Sequence, residues 1–163
     1  MALPDAEQTI AALADRMRGA VAFDAKFIGI YSGGAWIAER LAAMIDGDHP
    51  VGYIDVSFYR DDYATAGLKG GTRRTSLPFN VDGATIVLVD DVLYTGRSVR
   101  AAINELFDFG RPARIELAVL IDRGGRELPI EPTYCGARLA VAQDLSIVLS
   151  QDGDRLALGV QKT

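Results

Sequence analysis

One stretch of thirteen residues, 86–98, constrains the fold of this chain more than any other. It begins with four consecutive apolar residues, 86–89, three of them β-branched, and such a run favours a strand that is buried on both faces, as in a parallel sheet. The acidic pair Asp90 and Asp91 follows, and after a short loop apolar residues recur at helical spacing. We therefore predict a helix over residues 99–109 and a strand–loop–helix unit of an α/β protein.

The loop between this strand and this helix is suited to an anion. Ligands of open α/β sheets bind at the carboxyl ends of the strands, where the amino terminus of a helix offers unpaired N–H groups and a partial positive charge. Thr95 and Ser98 add hydroxyl groups, Gly96 lets the backbone approach a ligand closely, and Arg97 adds charge. The sequence has neither the G-x-x-x-x-G-K-[ST] nor the G-x-G-x-x-G pattern of other nucleotide loops. Two adjacent carboxylates before such a loop suit a ligand with hydroxyls beside a phosphate, often with a divalent metal, such as a ribose 5-phosphate.

Strands and helices are predicted to alternate along the chain. Its 163 residues, 49% hydrophobic and 24% charged, suffice for one compact domain over residues 1–163. Apolar patterns predict strands over 27–31, 51–58 and 115–121, helices over 6–18 and 36–45, a tight loop over 32–34, and a carboxyl-terminal hairpin turning at 152–154. Because polar, glycine-containing segments follow several of these strands, we expect them to converge on one cleft.

Residues 64–83 have a different character. Glycines together with Lys69, Arg73 and Arg74 interrupt any clear periodicity there. We expect a mobile loop or hairpin over the site, because long loops in compact domains are commonly functional. A solvated surface connection is the alternative.

The remaining composition excludes several other chemistries. Cys135 is the only cysteine, which excludes an internal disulfide and a cysteine cluster for zinc, so we expect it to be a small buried apolar residue. His49, the only histidine, lies in a turn beside Pro50, and no catalytic triad can be built around it. No signal peptide is indicated and no stretch approaches ~18 uninterrupted apolar residues, so we expect a cytoplasmic protein without a membrane span.

The hydrophobic strand, the two acidic residues and the Thr-Gly loop of residues 86–98 resemble the diphosphoribosyl-binding signature of the type I phosphoribosyltransferases. The resemblance implies an α/β fold in which a central, mostly parallel sheet is flanked by helices. It also implies a small hood built from the carboxyl-terminal region and a mobile loop over the site.

Longer segments are similar to the PyrR family, whose members are pyrimidine-operon attenuation regulators that also act as uracil phosphoribosyltransferases. The similar segments are 54–62, 92–102, 110–112 and 117–130. The similarity runs from about residue 28 to the end of the chain. Its Tyr-Arg-Asp-Asp and Arg-Glu-Leu-Pro-Ile pieces are more specific than the shared phosphoribosyl signature.

This resemblance implies a reaction in which uracil and phosphoribosyl diphosphate give UMP and pyrophosphate. Asp90 and Asp91 would hold the ribose hydroxyls and organise Mg²⁺, chiefly through the substrate and water. The other implied contacts are Ser32 and Gly33 with pyrophosphate; Arg60 at the substrate edge; Val92 and Leu93 with the substrate; Tyr94, Thr95, Gly96, Arg97 and Ser98 with the 5-phosphate; and Arg123 with the backbone near Leu139 around uracil. Loss of pyrophosphate leaves positive charge on the ribose, so electrostatic stabilisation and exclusion of water matter more than a strong nucleophile.

Two alternatives to a uracil phosphoribosyltransferase stay open. One is an RNA-binding attenuation regulator with weak or no transferase activity, whose partner would be pyrimidine-operon leader RNA. A formal net charge of −5 and a pI near 4.8 do not favour RNA unless charge is segregated. The arginines that could cluster are Arg97, Arg100, Arg111, Arg114, Arg123 and Arg126. The other alternative is a phosphoribosyltransferase for a purine or orotate. Whichever of these functions the chain has, we expect it to form a homo-oligomer.

The chain departs from the family pattern in three places. Ser32-Gly33 stands where the pyrophosphate loop commonly has Thr-Arg, and Gly125 stands where the family commonly has His. Residues 137–142 replace a polar stretch that usually follows the base pocket. These departures bear on pyrophosphate binding, on RNA and on the base pocket.

Overall fold

The computed structural model describes residues 2–57 and 74–163 of the chain. The elements in this part of the chain are α1 (Ala6–Met17), β1 (Lys26–Ile30), α2 (Gly33–Met44), β2 (Val51–Ile54), β3 (Thr85–Leu93), α3 (Arg97–Phe107), β4 (Arg114–Asp122), β5 (Tyr134–Arg138), β6 (Leu145–Asp152) and β7 (Arg155–Lys162). Each of the described helices is too short or too polar to cross a membrane.

Five strands form one parallel sheet in the order β2-β1-β3-β4-β5. Residues 86–89 of the central strand β3 are fully buried and alternate between two cores. Val87 and Val89 face a core that contains α1, α2 and residues of β6 and β7. Ile86 and Leu88 face a second core that contains α3. Both faces of the sheet are therefore covered, as the apolar run predicts.

β3 is longer than the predicted strand over residues 86–89, because it continues through the acidic pair. On its β4 side the pairing persists to the last residue of both strands. On its β1 side the pairing stops at Val89, because β1 ends there. Asp90 and Asp91 therefore lie in a strand stretch that has lost its neighbour on one side.

The prediction of a strand over residues 51–58 is too long, because β2 ends at Ile54. Its parallel partner β1 ends at Ile30, opposite Ile54, and no further ladder forms beyond that pair. Helix α3 begins at Arg97, two residues before the predicted start. The short strand β5 was not predicted, since it lacks a clear apolar alternation.

The prediction of a tight loop over residues 32–34 is also wrong. Gly33 and Gly34 form the first turn of α2, and Ser32 is the residue before the helix. A Cβ atom on Gly34 would lie 3.1 Å from the Cα atom of Asp90. Glycine therefore lets this helix begin directly against β3.

The predicted mobile loop is described only in part. Its residues 64–73 lie outside the described residues, so the expectation of a mobile loop stays a prediction. Residues 74–83 run beside β2, where Ser76 and Tyr53 exchange two backbone hydrogen bonds of 2.8 Å. Leu77 and Phe79 pack against the core that contains α3.

The predicted carboxyl-terminal hairpin is confirmed. β6 and β7 pair antiparallel around Gly153, whose φ of 60° suits the turn. Glu7 of α1 accepts a hydrogen bond of 2.7 Å from the backbone N–H of Leu156 and is also paired with Arg40 of α2. The hairpin is thus hydrogen-bonded to α1, and the same glutamate joins α1 to α2 on one face of the sheet.

Candidate active site

The loop between β3 and α3 forms a small concave site. Gly96 precedes α3 with a φ of 97°, a left-handed conformation that favours glycine. Gly96 has no side chain to cap the helix, and the Arg97 N–H donates a hydrogen bond of 3.2 Å to the Thr95 hydroxyl, so the following N–H groups of the first turn are the ones that face a ligand. The cavity here, about 150 Å³, is called the loop cavity and is lined by Asp90 and residues 92–99. Its position and donors suit a phosphate.

The two carboxylates are oriented by the backbone that follows them. Asp90, 7% exposed, accepts a hydrogen bond of 2.9 Å from the N–H of Asp91. Asp91 in turn accepts one of 2.8 Å from the N–H of Val92. These bonds restrict the rotation of each carboxylate, so the pair is held in place at the open side of β3.

A second cavity, of about 330 Å³, brings the carboxylates together with the amino terminus of α2. We call it the acidic cavity, and its described lining consists of Ser32, Gly33, Asp90, Asp91, Val92, Ser98, Ile147, Val148 and Leu149. It shares Asp90, Val92 and Ser98 with the loop cavity, so the two form neighbouring parts of one site. The described lining has two carboxylates and no basic side chain.

Residues 147–149 are site residues that the sequence analysis did not identify. They belong to β6, in the carboxyl-terminal region expected to form the hood, and they border the acidic cavity beside the carboxylates. Their apolar character on a hairpin gives no functional signal, because any core-facing strand has the same pattern. Only the packing of β6 against β3 identifies them.

Arg123, expected beside the base, occupies a buried position between two parts of the site. Its guanidinium carbon lies 4.0 Å from the centroid of the Tyr94 ring. Its Nη atoms donate to the carbonyl groups of Leu145, at 2.7 Å, and Ala142, at 3.1 Å. The side chain therefore connects the hood region to the loop after β3. Gly125 packs on the same ring, where a Cβ atom would lie 2.8 Å from Tyr94 Cδ1.

Leu139, the other residue expected near the base, lies with Arg123 in a third cavity. This cavity, of about 380 Å³, is the arginine cavity; its lining is Asp122, Arg123, Gly124, Arg126, Glu131, Arg138, Leu139 and Ala140. It shares none of these residues with the other two cavities. The structure thus groups the expected site residues in two places. Arg60 lies outside the described residues.

Asp122 is a buried charged centre that the sequence analysis did not single out. Its side chain is 2% exposed and accepts hydrogen bonds from Arg126, Arg138 and the N–H of Gly124. The bonds from Arg126 hold the pKa of this carboxyl below its ordinary value, although burial opposes them. The same hydrogen bonds with Asp122 raise the pKa of the Arg126 guanidinium. Both groups are therefore charged at neutral pH.

The arginines that could have formed an RNA-binding cluster are mostly engaged with partners of the chain itself. Arg97 pairs with Glu127 at 2.8 Å, and Arg114 pairs with Glu116 at 3.2 Å. Arg126 pairs with Asp122 at 2.7 Å. Three of the six candidate arginines are thus paired with carboxylates of the chain.

Neither His49 nor Cys135 takes part in the site. The His49 ring lies against Phe27, and its nitrogens face the carbonyl groups of Ala25 and Asp46. Burial raises the pKa of the Cys135 thiol, which keeps it protonated at neutral pH and unsuited to nucleophilic attack. Cys135 is half-buried against the core that contains α3, so the expectation of a fully buried residue is met only in part.

Comparison with known proteins gives a consistent result. The phosphoribosyl transferase domain model matches residues 2–138. The bifunctional protein PyrR of Ralstonia nicotianae is 55% identical over 148 residues, covering 91% of this chain and 84% of the relative. That of Pseudomonas savastanoi is 45% identical, covering 99% and 96%.

Solved structures show the same fold. A hypoxanthine-guanine phosphoribosyltransferase from Bacillus anthracis superposes with a TM-score of 0.69 at 18% identity, covering 96% of each chain. A purine phosphoribosyltransferase from Pyrococcus horikoshii gives 0.62 at 27% identity, covering 83% of this chain and 85% of that one. The predicted type I phosphoribosyltransferase fold is confirmed.

Proposed function

The chain belongs to the phosphoribosyl transferase domain family, and within it to the PyrR proteins; from this we propose that it transfers a phosphoribosyl group to uracil, giving UMP and pyrophosphate. The observation that carries the proposal is the position of the acidic pair: Asp90 lines both the loop cavity and the acidic cavity, and Asp91 lines the acidic cavity beside the amino terminus of α2. A ribose placed against them would have its 5-phosphate at the loop and its pyrophosphate at α2.

In this arrangement each part of the site has a separate task. Asp90 and Asp91 accept hydrogen bonds from the ribose hydroxyls, and their negative charge stabilises the positive charge that develops on the ribose. The N–H groups and hydroxyls of residues 94–98 bind the 5-phosphate. Residues 147–149 of the hood exclude water, which would otherwise compete with the base for the ribose carbon.

Mg²⁺ is part of the proposal. Mg²⁺ is commonly bound through one or two carboxylates, substrate phosphates and retained waters, and the acidic cavity offers Asp90 and Asp91 for this purpose. When bound, the ion neutralises the pyrophosphate leaving group. Because the described lining has no basic side chain, this neutralisation is needed at the α2 end of the site. Further candidates from the predicted loop are Arg74 and, outside the described residues, Lys69 and Arg73.

The base is proposed to be uracil on the basis of the PyrR relatives. Arg123 and the backbone near Leu139 are the proposed neighbours of uracil, and Arg60 is the proposed residue at the substrate edge. What supports this role for Arg123 is its position between the loop and the hood, where its guanidinium lies on the Tyr94 ring. Its Nη1 atom donates to the Leu145 carbonyl group and is not exposed to a ligand. A panel of uracil, hypoxanthine, guanine and orotate tests the assignment, and preference for a purine or orotate would replace it.

The experiment that tests the transferase is a uracil-dependent pyrophosphate-release assay with Mg²⁺ and phosphoribosyl diphosphate. We expect release that requires both uracil and Mg²⁺ and yields UMP. No release above the rate without uracil would contradict the proposal.

A second function, RNA-dependent regulation, is proposed because the relatives are named bifunctional. The partner would be pyrimidine-operon leader RNA, with UMP as the effector. The net charge and the paired arginines oppose tight binding. A filter-binding titration with leader RNA, with and without UMP, tests it. Absence of UMP-enhanced binding would leave the transferase as the single function.

We also propose a cytoplasmic, homo-oligomeric protein. Large apolar side chains are exposed at Phe107 and Phe109, which are 52% and 48% exposed at the end of α3. Exposed aromatic side chains of this kind are common at subunit contacts. Light scattering coupled to size exclusion would show a mass above 17.5 kDa if the chain associates.

A further inference from the structure

The Arg126 side chain lies directly behind the loop that is proposed to bind the 5-phosphate. Its Nη1 atom donates a hydrogen bond of 3.1 Å to the Tyr94 carbonyl group, and its Nε atom donates one of 2.6 Å to the Ile130 carbonyl group. The same guanidinium makes a two-fold contact with Asp122, at 2.8 and 2.7 Å. With only 16% of its side chain exposed, Arg126 is a buried connection rather than a surface charge.

The neighbouring carbonyl group of the loop is held in a similar way. The N–H groups of Glu127 and Leu128 donate to the carbonyl of Thr95 at 3.0 and 3.1 Å. Leu128 and Ile130 also pack behind Gly96, since a Cβ atom on that glycine would lie 3.4 Å from each. Residues 126–130 therefore form a backing layer for the loop.

These hydrogen bonds matter because the loop must present donors to an anion. A carbonyl oxygen that turned toward a bound phosphate would repel it, and the carbonyl groups of Tyr94 and Thr95 lie at the entrance to α3. The backing layer gives both of them donors on the side of residues 126–128. Among these donors, Arg126 is the charged one and is fixed by a buried partner, which makes its bond to the Tyr94 carbonyl a strong one.

We propose that Arg126 is a positioning residue for phosphoribosyl binding, which acts by holding the Tyr94 carbonyl group away from the 5-phosphate while Asp122 fixes its guanidinium. The inference rests on the proposed function, because it takes the loop to be the 5-phosphate site. Arg126 is absent from the lining of the loop cavity, so it acts on the 5-phosphate through the loop. It connects Asp122 at the carboxyl end of β4 to the loop after β3. The carboxyl ends of the two strands are therefore held at a fixed distance from each other in the site.

The test is calorimetric titration of ribose 5-phosphate, without uracil, into the wild type and the variants Arg126→Gln and Arg126→Lys at 10 °C. At a temperature well below unfolding, a residue that only stabilises the fold leaves the affinity unchanged. Loss of one charge-assisted hydrogen bond should weaken binding by about tenfold or more in Arg126→Gln. Arg126→Lys keeps a charged donor without the fork, and it should restore part of the affinity.

Arg114→Gln is the matched control. Like Arg126, Arg114 is paired with a carboxylate, that of Glu116, but it lies at the amino end of β4 and is 67% exposed. The affinity of Arg114→Gln for ribose 5-phosphate should therefore stay within about twofold of the wild type. Affinity of Arg126→Gln within the same range would overturn the inference. Absence of ribose 5-phosphate binding by the wild type would overturn it too. If binding follows the expected order but uracil is not used, the proposed function fails while the inference stands.

Discussion

Gly33 at the amino terminus of α2 lies against the carboxylate of Asp91 in β3. A Cβ atom on residue 33 would come within 2.8 Å of Asp91 Cγ and closer still to Oδ2. A side chain on residue 33 would therefore require the Asp91 carboxylate to move from the position that it has beside the first turn of α2. This contact gives a packing reason for glycine at a position where PyrR-like sequences commonly have arginine.

Gly33→Ala should consequently move Asp91 or the first turn of α2. Overpacking of this kind commonly costs about 1–3 kcal/mol of stability. Since Asp91 is the proposed ribose ligand, we also expect a decrease in the rate of UMP formation, measured by pyrophosphate release. Gly159→Ala is the control, because a Cβ atom there meets nothing within 4 Å. Equal activity of the two variants would show that the contact at Gly33 is unimportant for catalysis.

Asp91→Asn should nearly abolish UMP formation. The change removes the negative charge that is proposed to stabilise the ribose in the transition state, and loss of one such electrostatic contact commonly costs about 10²- to 10³-fold in rate. The measurement is the rate of UMP formation at saturating uracil. Asp24→Asn, an exposed carboxylate between α1 and β1, is the control and should retain wild-type turnover. Unchanged turnover of Asp91→Asn would remove the central assignment of the site.

Asp122 should make stability depend on acidic pH. Its pKa is lowered in the folded protein, first of all by the hydrogen bonds from Arg126. A lowered folded-state pKa means that the contribution is complete above the unfolded pKa, about 3.9, and is lost as the pH falls below it through the folded pKa.

Asp122→Asn should therefore be less stable than the wild type at pH 7, by about 3 kcal/mol, because Arg126 loses its charged partner. Urea unfolding at pH 7, 5, 4 and 3 should show this difference shrinking at the two lowest values. The exposed Asp152→Asn serves for comparison. A difference that is the same at pH 7 and pH 3 would argue against the ion pair as its origin.

Glu7→Gln should loosen the carboxyl-terminal hairpin. Burial opposes the ionisation of Glu7, but the bonds from the Leu156 N–H and from Arg40 lower its pKa overall, so the carboxylate is charged in the fold. Its removal should cost about 1–3 kcal/mol and should speed amide exchange over residues 145–162. Asp15→Asn, with a side chain that is 71% exposed, should leave exchange in the hairpin unchanged. Exchange rates that match in both variants would rule out Glu7 as the anchor.

The parallel sheet, the acidic pair and the loop that follows it could be predicted from the sequence, because they lie in one continuous stretch. A buried apolar run, two carboxylates and a helix start define a strand–loop–helix unit without reference to the rest of the chain. The resemblance to phosphoribosyltransferases rests on the same stretch, and the comparisons confirm it. The hairpin of β6 and β7 was likewise predictable, since its turn and its two apolar strands are adjacent.

Other parts of the site depend on residues that are distant in sequence. The extension of β3 through Asp90 follows from where β1 stops and β4 continues, which no local pattern contains. The contact of Gly33 at the start of α2 with the Asp91 side chain joins two residues that are far apart in the chain.

The sequence by itself thus determined the fold class and the continuous stretch that is proposed to carry the phosphoribosyl chemistry. Only the tertiary structure decided that residues 147–149 border the acidic cavity and that Arg126 turns inward to Asp122 and the Tyr94 carbonyl group. The physical reason is that an apolar strand or an arginine has the same local pattern in a functional and a purely structural setting. Their roles are set by the partners that strand pairing and burial bring within contact distance.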